Sequence, residues 1–215
     1  MPLKLYLHPL SSYCQKALIA FYENGTPFEP HIVNLGEEKS RAEFLKIWQI
    51  GKFPVLRDET GDRTIPESTT IIEYLDRHYP GRTKLIPADP DLARQTRFHD
   101  RFYDLHLHDH MQKVVGDRLR PAESKDPFGV AQAKVRIATA YDMIDREMAA
   151  KTWTMGDAFT MADCAAAPAL FYANLVVPFG DTHKSVAAYF GRLMERPSFA
   201  RCVSEAKPFF HFFPK

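Results

Sequence analysis

The chain has 215 residues, 45% of them hydrophobic and 26% charged, the balance of an ordinary globular protein. Lys and Arg number 28 against 27 for Asp and Glu, a formal net charge of +1. No basic excess exists to release counterions, so neither nucleic acid nor an anionic membrane is expected as a partner. Three widely spaced cysteines, Cys14, Cys164 and Cys202, argue against a disulfide framework and fit a reducing, cytoplasmic setting.

Met1 to Tyr6 runs straight into a strand pattern with no apolar signal core before it, and no later stretch approaches a membrane-spanning length. Leu3–Leu7 alternates apolar and mixed positions, as a half-buried strand does. Tyr13–Tyr22 carries Ala17, Leu18 and Phe21 at helical spacing, and Asn24-Gly25-Thr26-Pro27 stops it. Phe28–Leu35 reads as a second strand and Ser40–Trp48 as a second helix. Phe53–Leu56 and Arg63–Pro66 flank the turn formers of residues 58–62 and predict a hairpin. Glu67–Tyr79 follows as a helix with Ile71, Ile72, Leu75 and Tyr79 on one face. The order is βαβ then ββα, a small four-stranded α/β domain over residues 1–81.

Residues 82–91 form a linker with prolines at 87 and 90, and no strand signal survives beyond it. Residues 92–117, 128–149, 160–177 and 183–205 read as helices, with breaks at Pro121, Pro127, Pro178 and Pro197. Thr160 and Asp163 are a variant capping box at the start of the third of these. The expected architecture is an α/β domain followed by an all-helical domain over residues 92–215.

Three features carry chemistry. Pro66-Glu67-Ser68 heads a helix, where free N–H groups and the positive end of the dipole make an anion site. Ser68 can donate to a carboxylate while Glu67 accepts from an ammonium, which together suit an α-amino acid head group; the plainer reading is a helix cap. Phe53-Pro54-Val55 begins a strand with a proline, which belongs at an edge or a tight bend. A cis bond there would present the Val55 main chain to a peptide ligand, and Lys52 beside it could meet a carboxylate. Ser11-Ser12-Tyr13-Cys14 stands at the junction of first strand and first helix. One charge-assisted hydrogen bond of about 1.5–3 kcal/mol, aided by the helix dipole, would lower the pKa of a thiol held there by about one to two units. Taken alone, the two serines read first as a pair competing to cap a helix.

In order and spacing these features resemble the glutathione S-transferase superfamily over the whole chain, and its bacterial serine-type, theta- or zeta-like members in particular. The resemblance implies a thioredoxin-like first domain, and a second domain that forms the pocket for a small, largely apolar electrophile. Glutathione is then the co-substrate, with no metal, and a cytoplasmic homodimer is expected. Pro54 and Val55 match the segment that holds the cysteinyl backbone, and Glu67 with Ser68 the pair that grips the γ-glutamyl head group. Ser11 matches the activating serine and holds the first position of what would be a Cys-x-x-Cys motif, with Ser12 a supporting donor. Glutathione transfer is the implied activity; isomerisation or dehalogenation on the same site, or a non-catalytic scaffold, are alternatives.

Tyr6 sits near the tyrosine used by other classes, but its strand position favours packing. His99, Tyr103, His106 and His110 recur at helical spacing on the first helix after the linker. His106 and His110 stand four apart, as zinc ligands can, but no ligand-like cysteine or carboxylate motif accompanies them. The resemblance instead sets Tyr103, His106 and His110 along the electrophile pocket. It makes Asp100 and Asp104 candidates to reach the glutathione amine of a partner subunit; otherwise they form a solvent face paired with Arg97 and Arg101. Phe209, Phe210, Phe212 and Phe213 end the chain and are expected to pack back, roofing a pocket or completing the core.

Overall fold

The computed structural model describes residues 2–214. Residues 1 and 215, at the outer limits of the two expected domains, lie outside them. Strand β1 (Leu3–Leu7) leads to helix α1 (Ser12–Asn24), β2 (Glu29–Ile32), α2 (Glu38–Ile47), β3 (Val55–Asp58), β4 (Arg63–Pro66) and α3 (Ser68–His78). The sheet order is β2-β1-β3-β4, with β1 and β2 parallel and the other pairs antiparallel. Leu3, Leu5 and Leu7 bury toward α1 and α3, the side that the alternation in β1 dictates. The opposite face packs Val33, Phe44 and Val55 under α2, with Tyr6 half-buried beside them. Tyr6 therefore points away from α1 and is a packing residue. β3 is an interior strand, not the edge that a strand-opening proline suggests; Pro54 precedes it, joined to Phe53 by a cis bond.

Beyond the linker everything is helical: α4 (Pro90–Phe102), α5 (Asp109–Arg118), α6 (Pro127–Met148), α7 (Met161–Asn174), α8 (Lys184–Glu195) and α9 (Pro197–Ala206). Pro197 separates α8 from α9 at the expected break. The segment read as one regular helix over 92–117 is instead α4 and α5 joined by a π-helical turn, Tyr103–His108. That turn puts 103, 104, 107 and 108 inside and leaves 105 and 106 outside.

The cap of α7 forms as its sequence directs: Asp163 accepts from the Thr160 N–H at 2.8 Å, and also from Thr154 N–H at 2.8 Å and the Tyr189 hydroxyl at 2.7 Å. The tail makes a 3-10 turn, Lys207–Phe212, that folds back. Phe210 meets Phe171 at 5.7 Å, Phe213 meets Tyr172 at 5.7 Å, and Phe209 meets His8 at 4.9 Å.

The two halves are tied through α1. Tyr172 donates to the Leu10 carbonyl at 2.7 Å, Gln15 donates to Pro9, and the Arg196 guanidinium forks onto Glu23 with two 2.7 Å bonds. The Tyr172 bond holds the loop before α1 against the helical domain, and the Arg196–Glu23 fork holds the C-terminal end of α1.

Candidate functional site

Two adjoining cavities lie where α1 begins. The first, of about 140 Å3, is lined by Tyr13, Lys52, Phe53, Pro54, Glu67 and Ser68. Glu67 caps α3 with φ +71°, a conformation that L-residues avoid and that costs of order 1–3 kcal/mol. Its side chain makes no capping bond, so the first N–H groups of α3 are left to face the cavity. Ser68 is buried at the first turn, and Lys52 is exposed at the rim. An anion-accepting helix start, a nearby carboxylate and a lysine thus surround one small volume.

Val55 is fully buried and its side chain belongs to the sheet core. It lies opposite Pro66, which has no N–H, so this pair cannot exchange two ladder bonds. Only its main chain is left for any ligand. Tyr13 is a wall residue that its sequence position inside the helix had concealed. Burial first, then the carboxylates of Asp104 and Asp109, raises its phenol pKa, and its hydroxyl donates to Asp109 at 3.3 Å.

The second cavity, of about 240 Å3, is lined by Leu10, Ser11, Ser12, Phe53, Met111, Gln112, Val115, Tyr172, Phe213 and Pro214. Phe53 is common to both. The lining is apolar except for the two serines at one end and Gln112. Ser11 is the N-cap of α1 and accepts from the Cys14 N–H at 3.3 Å, which leaves its own hydroxyl proton to donate elsewhere. Ser12 is buried and shares a short hydrogen bond with Nε2 of His108. Cys14 is buried inside the helix, where desolvation pushes its thiol up to about 12, so it is no nucleophile. The tail residue Phe213 lines this cavity while Phe210 packs on the core.

Behind the serines runs a buried polar ladder. Lys16, one turn along α1 from Ser12, is 1% exposed and bonds Asp100 and Asp104 at 2.7 Å each. Thr69 of α3 accepts from Lys16 at 2.9 Å and donates to Asp100 at 2.8 Å. Asp100, Asp104 and His108 stand four apart, so one face meets Lys16 and Ser12 in register. Asp104 and Asp100 are therefore neither a solvent face nor free arms. Arg97 pairs with Glu73 instead, and the Asp104 side chain, 10% exposed and held by Lys16, does not line the first cavity. Within one chain Asp104 is thus held by Lys16 beneath the first helix and stands apart from the first cavity. Burial raises its pKa, opposed by Lys16.

Tyr103, His106 and His110 are not among the residues that line the second cavity. Tyr103 is buried in the helical domain with its hydroxyl 3.3 Å from that of Thr154. His106 and His110 border a separate groove with Phe98, Phe102, Arg136 and Met143. The helical domain's residues at the second cavity are Met111, Gln112, Val115, Tyr172, Phe213 and Pro214. Among the described residues no group of three or more His, Cys, Asp or Glu could hold a metal ion, and no helix is long and apolar enough to cross a membrane.

Comparison with known proteins fits this geometry. The profile of the glutathione S-transferase N-terminal domain matches residues 5–83, and that of the C-terminal domain matches residues 127–195. Glutathione S-transferase GstB of Escherichia coli is 24% identical over 196 residues, 90% of this chain and 93% of the relative. A stringent starvation protein A homolog of Haemophilus ducreyi is 27% identical, covering 91% of this chain and 87% of the relative. Among solved structures, a glutathione S-transferase of Methylobacterium radiotolerans in complex with glutathione sulfonate superposes with a TM-score of 0.79 at 28% identity, over 94% of each chain. With both domain profiles in place along one chain and the fold shared from end to end, the protein belongs to the glutathione S-transferase superfamily.

Proposed function

We propose that this chain is a cytoplasmic glutathione transferase of the serine type, with residues 1–81 binding glutathione and residues 92–215 supplying most of the electrophile pocket. The observation that carries the reading is the meeting of the two cavities at Phe53, with Ser11 and Ser12 beside the junction. An α-amino acid head group suits the start of α3: its carboxylate takes the free N–H groups and Ser68, and its ammonium takes Glu67. Lys52 meets the far carboxylate, and the Val55 main chain beside Pro54 takes the central peptide. The thiol then falls at the start of α1.

There the hydroxyls of Ser11 and Ser12 donate to the sulfur, and the helix dipole favours its negative form. The thiol proton leaves to solvent. The thiolate attacks an electrophilic carbon seated against Met111, Val115, Tyr172 and Phe213, either adding to it or displacing a leaving group. Isomerisation and dehalogenation share this first step and remain alternatives on the same site. A homodimer is part of the proposal, to be checked by light scattering.

A second reading, a binding protein without catalysis, draws on the relative named for starvation response. The strained Glu67 favours the enzyme, since a scaffold gains nothing from holding that backbone conformation. Titration calorimetry with glutathione separates the two: binding at micromolar to millimolar concentration supports the transferase, and no heat at millimolar glutathione rejects it.

A further inference from the structure

We propose that His108 is a positioning residue that donates its Nε2–H to Ser12 Oγ, turning the Ser12 hydroxyl proton toward the sulfur and making Ser12 the stronger of the two serine donors. The proposal rests on the glutathione reading, because it needs a thiol at the junction of the cavities. It is carried by the environment of one ring. His108 is buried, its Nε2 is hydrogen-bonded to Ser12, and its Nδ1 has no hydrogen-bond partner among the described residues.

The groups that face the ring come from α1 and from its own segment. Tyr13 meets it edge-on at 4.4 Å with its hydroxyl committed to Asp109, and the Lys16 ammonium lies one turn along, held by Asp100 and Asp104. Burial, with the Lys16 charge behind it, lowers the His108 pKa to about 3, so the ring is neutral at physiological pH. A neutral imidazole carries one proton, and its place decides what Ser12 can do.

With the proton on Nδ1, a buried N–H is orphaned, and Nε2 must accept the Ser12 hydroxyl proton. Ser12 would then have nothing to give a thiolate. With the proton on Nε2, only an acceptor nitrogen is left bare, the milder of the two failures. Ser12 oxygen accepts from the ring, and its own proton is free for the cavity it lines. A hydroxyl that accepts one hydrogen bond donates a stronger one, because the chain of dipoles is cooperative. For Ser11 this push is weaker, because its oxygen accepts a longer bond, 3.3 Å, from the Cys14 amide. No proton moves to His108 at any stage.

Long-range nitrogen–proton spectra of the free protein test the ring directly. The proton is expected on Nε2, with Nδ1 bare and no titration across roughly pH 5–8; an Nδ1-protonated ring, or one that titrates in that range, overturns the proposal. Ultraviolet titration of the glutathione complex tests the consequence. His108→Leu is expected to raise the bound thiol pKa by about one unit, about a tenfold loss of thiolate. His108→Gln, whose amide can donate from the same place, is expected to restore most of it, with glutathione affinity the same in all three proteins when measured at a pH well below the bound thiol's pKa, where the thiol is protonated throughout. An unchanged thiol pKa in His108→Leu contradicts the proposal. Failure of the wild type to bind glutathione would remove the transferase reading and the thiol with it, whereas a misplaced ring proton removes the His108 role alone.

Discussion

Two buried carboxylate centres, Asp163 in the helical domain and the Asp100–Asp104 pair beneath α1, solve the same problem differently. Asp163 is met by neutral donors: two backbone N–H groups and the Tyr189 hydroxyl, all within 2.8 Å. Asp100 and Asp104 share one buried ammonium, Lys16. Burial raises the pKa of Asp163 and of Asp104 alike. Neutral donors leave a self-contained cap whose partners all lie in one domain. A buried ion reaches across domains, because it must satisfy carboxylates on one side while its stem packs on the other. The comparison separates residues that hold the helical domain together from those that set the start of α1, where the chemistry is proposed.

The largest effect is expected where the charge is stranded. Lys16→Met leaves two carboxylates buried without a cation and should cost about 3–5 kcal/mol in denaturant unfolding. It should also weaken glutathione binding, since Thr69 next to Ser68 loses its donor. A loss below about 1 kcal/mol would mean the carboxylates find other partners, and the contrast with Asp163 would fail. Asp163→Asn comes next, at about 1–3 kcal/mol, because an amide NH2 must face one of the N–H donors now bound. Here the glutathione affinity should not change. If affinity falls along with stability, the two centres are not independent.

Much of this was legible from the chain. The alternation of Leu3, Leu5 and Leu7, the stop at Gly25 and the hairpin around residues 58–62 placed the first domain, and the Thr160–Asp163 spacing placed α7. The helix start at Glu67 and Ser68 was legible because its capping positions have a fixed chemistry. The π turn was not, because nothing in composition or spacing marks where a helix takes that turn. Asp100, Asp104 and His108 do recur every four residues, but charged residues at that spacing suggest a solvated face. Only Lys16, hidden among apolar neighbours in α1, turns that face inward.

A smaller and sign-dependent effect concerns acid. The His108 pKa falls from the ordinary 6.5 to about 3 on folding, so its contribution is fully present above 6.5. Below that, the unfolded chain binds a proton that the folded ring refuses, and stability falls by about 1.4 kcal/mol per pH unit until about pH 3. The raised carboxylates Asp104 and Asp163 act in the opposite direction, gaining stability as pH falls toward their ordinary values. Unfolding of wild type and His108→Gln across this range isolates the histidine: the difference should favour wild type less as pH drops. A constant difference would show that the ring is protonated in the fold.

The smallest change is at the outer clamp. Arg196→Lys keeps the charge on Glu23 but loses the two-pronged geometry, and should cost about 1 kcal/mol with activity retained.

The central claim is that the start of α1 ionises a bound glutathione thiol. The direct measurement is the ultraviolet thiolate band of the glutathione complex, followed through a pH titration in wild type and in Ser11→Ala and Ser12→Ala. A wild-type midpoint about one to two units below the free thiol's value of about 8.5 is expected, with Ser12→Ala moving it back further than Ser11→Ala. A wild-type midpoint at the free value, or a lowered one that neither substitution moves, would contradict the account.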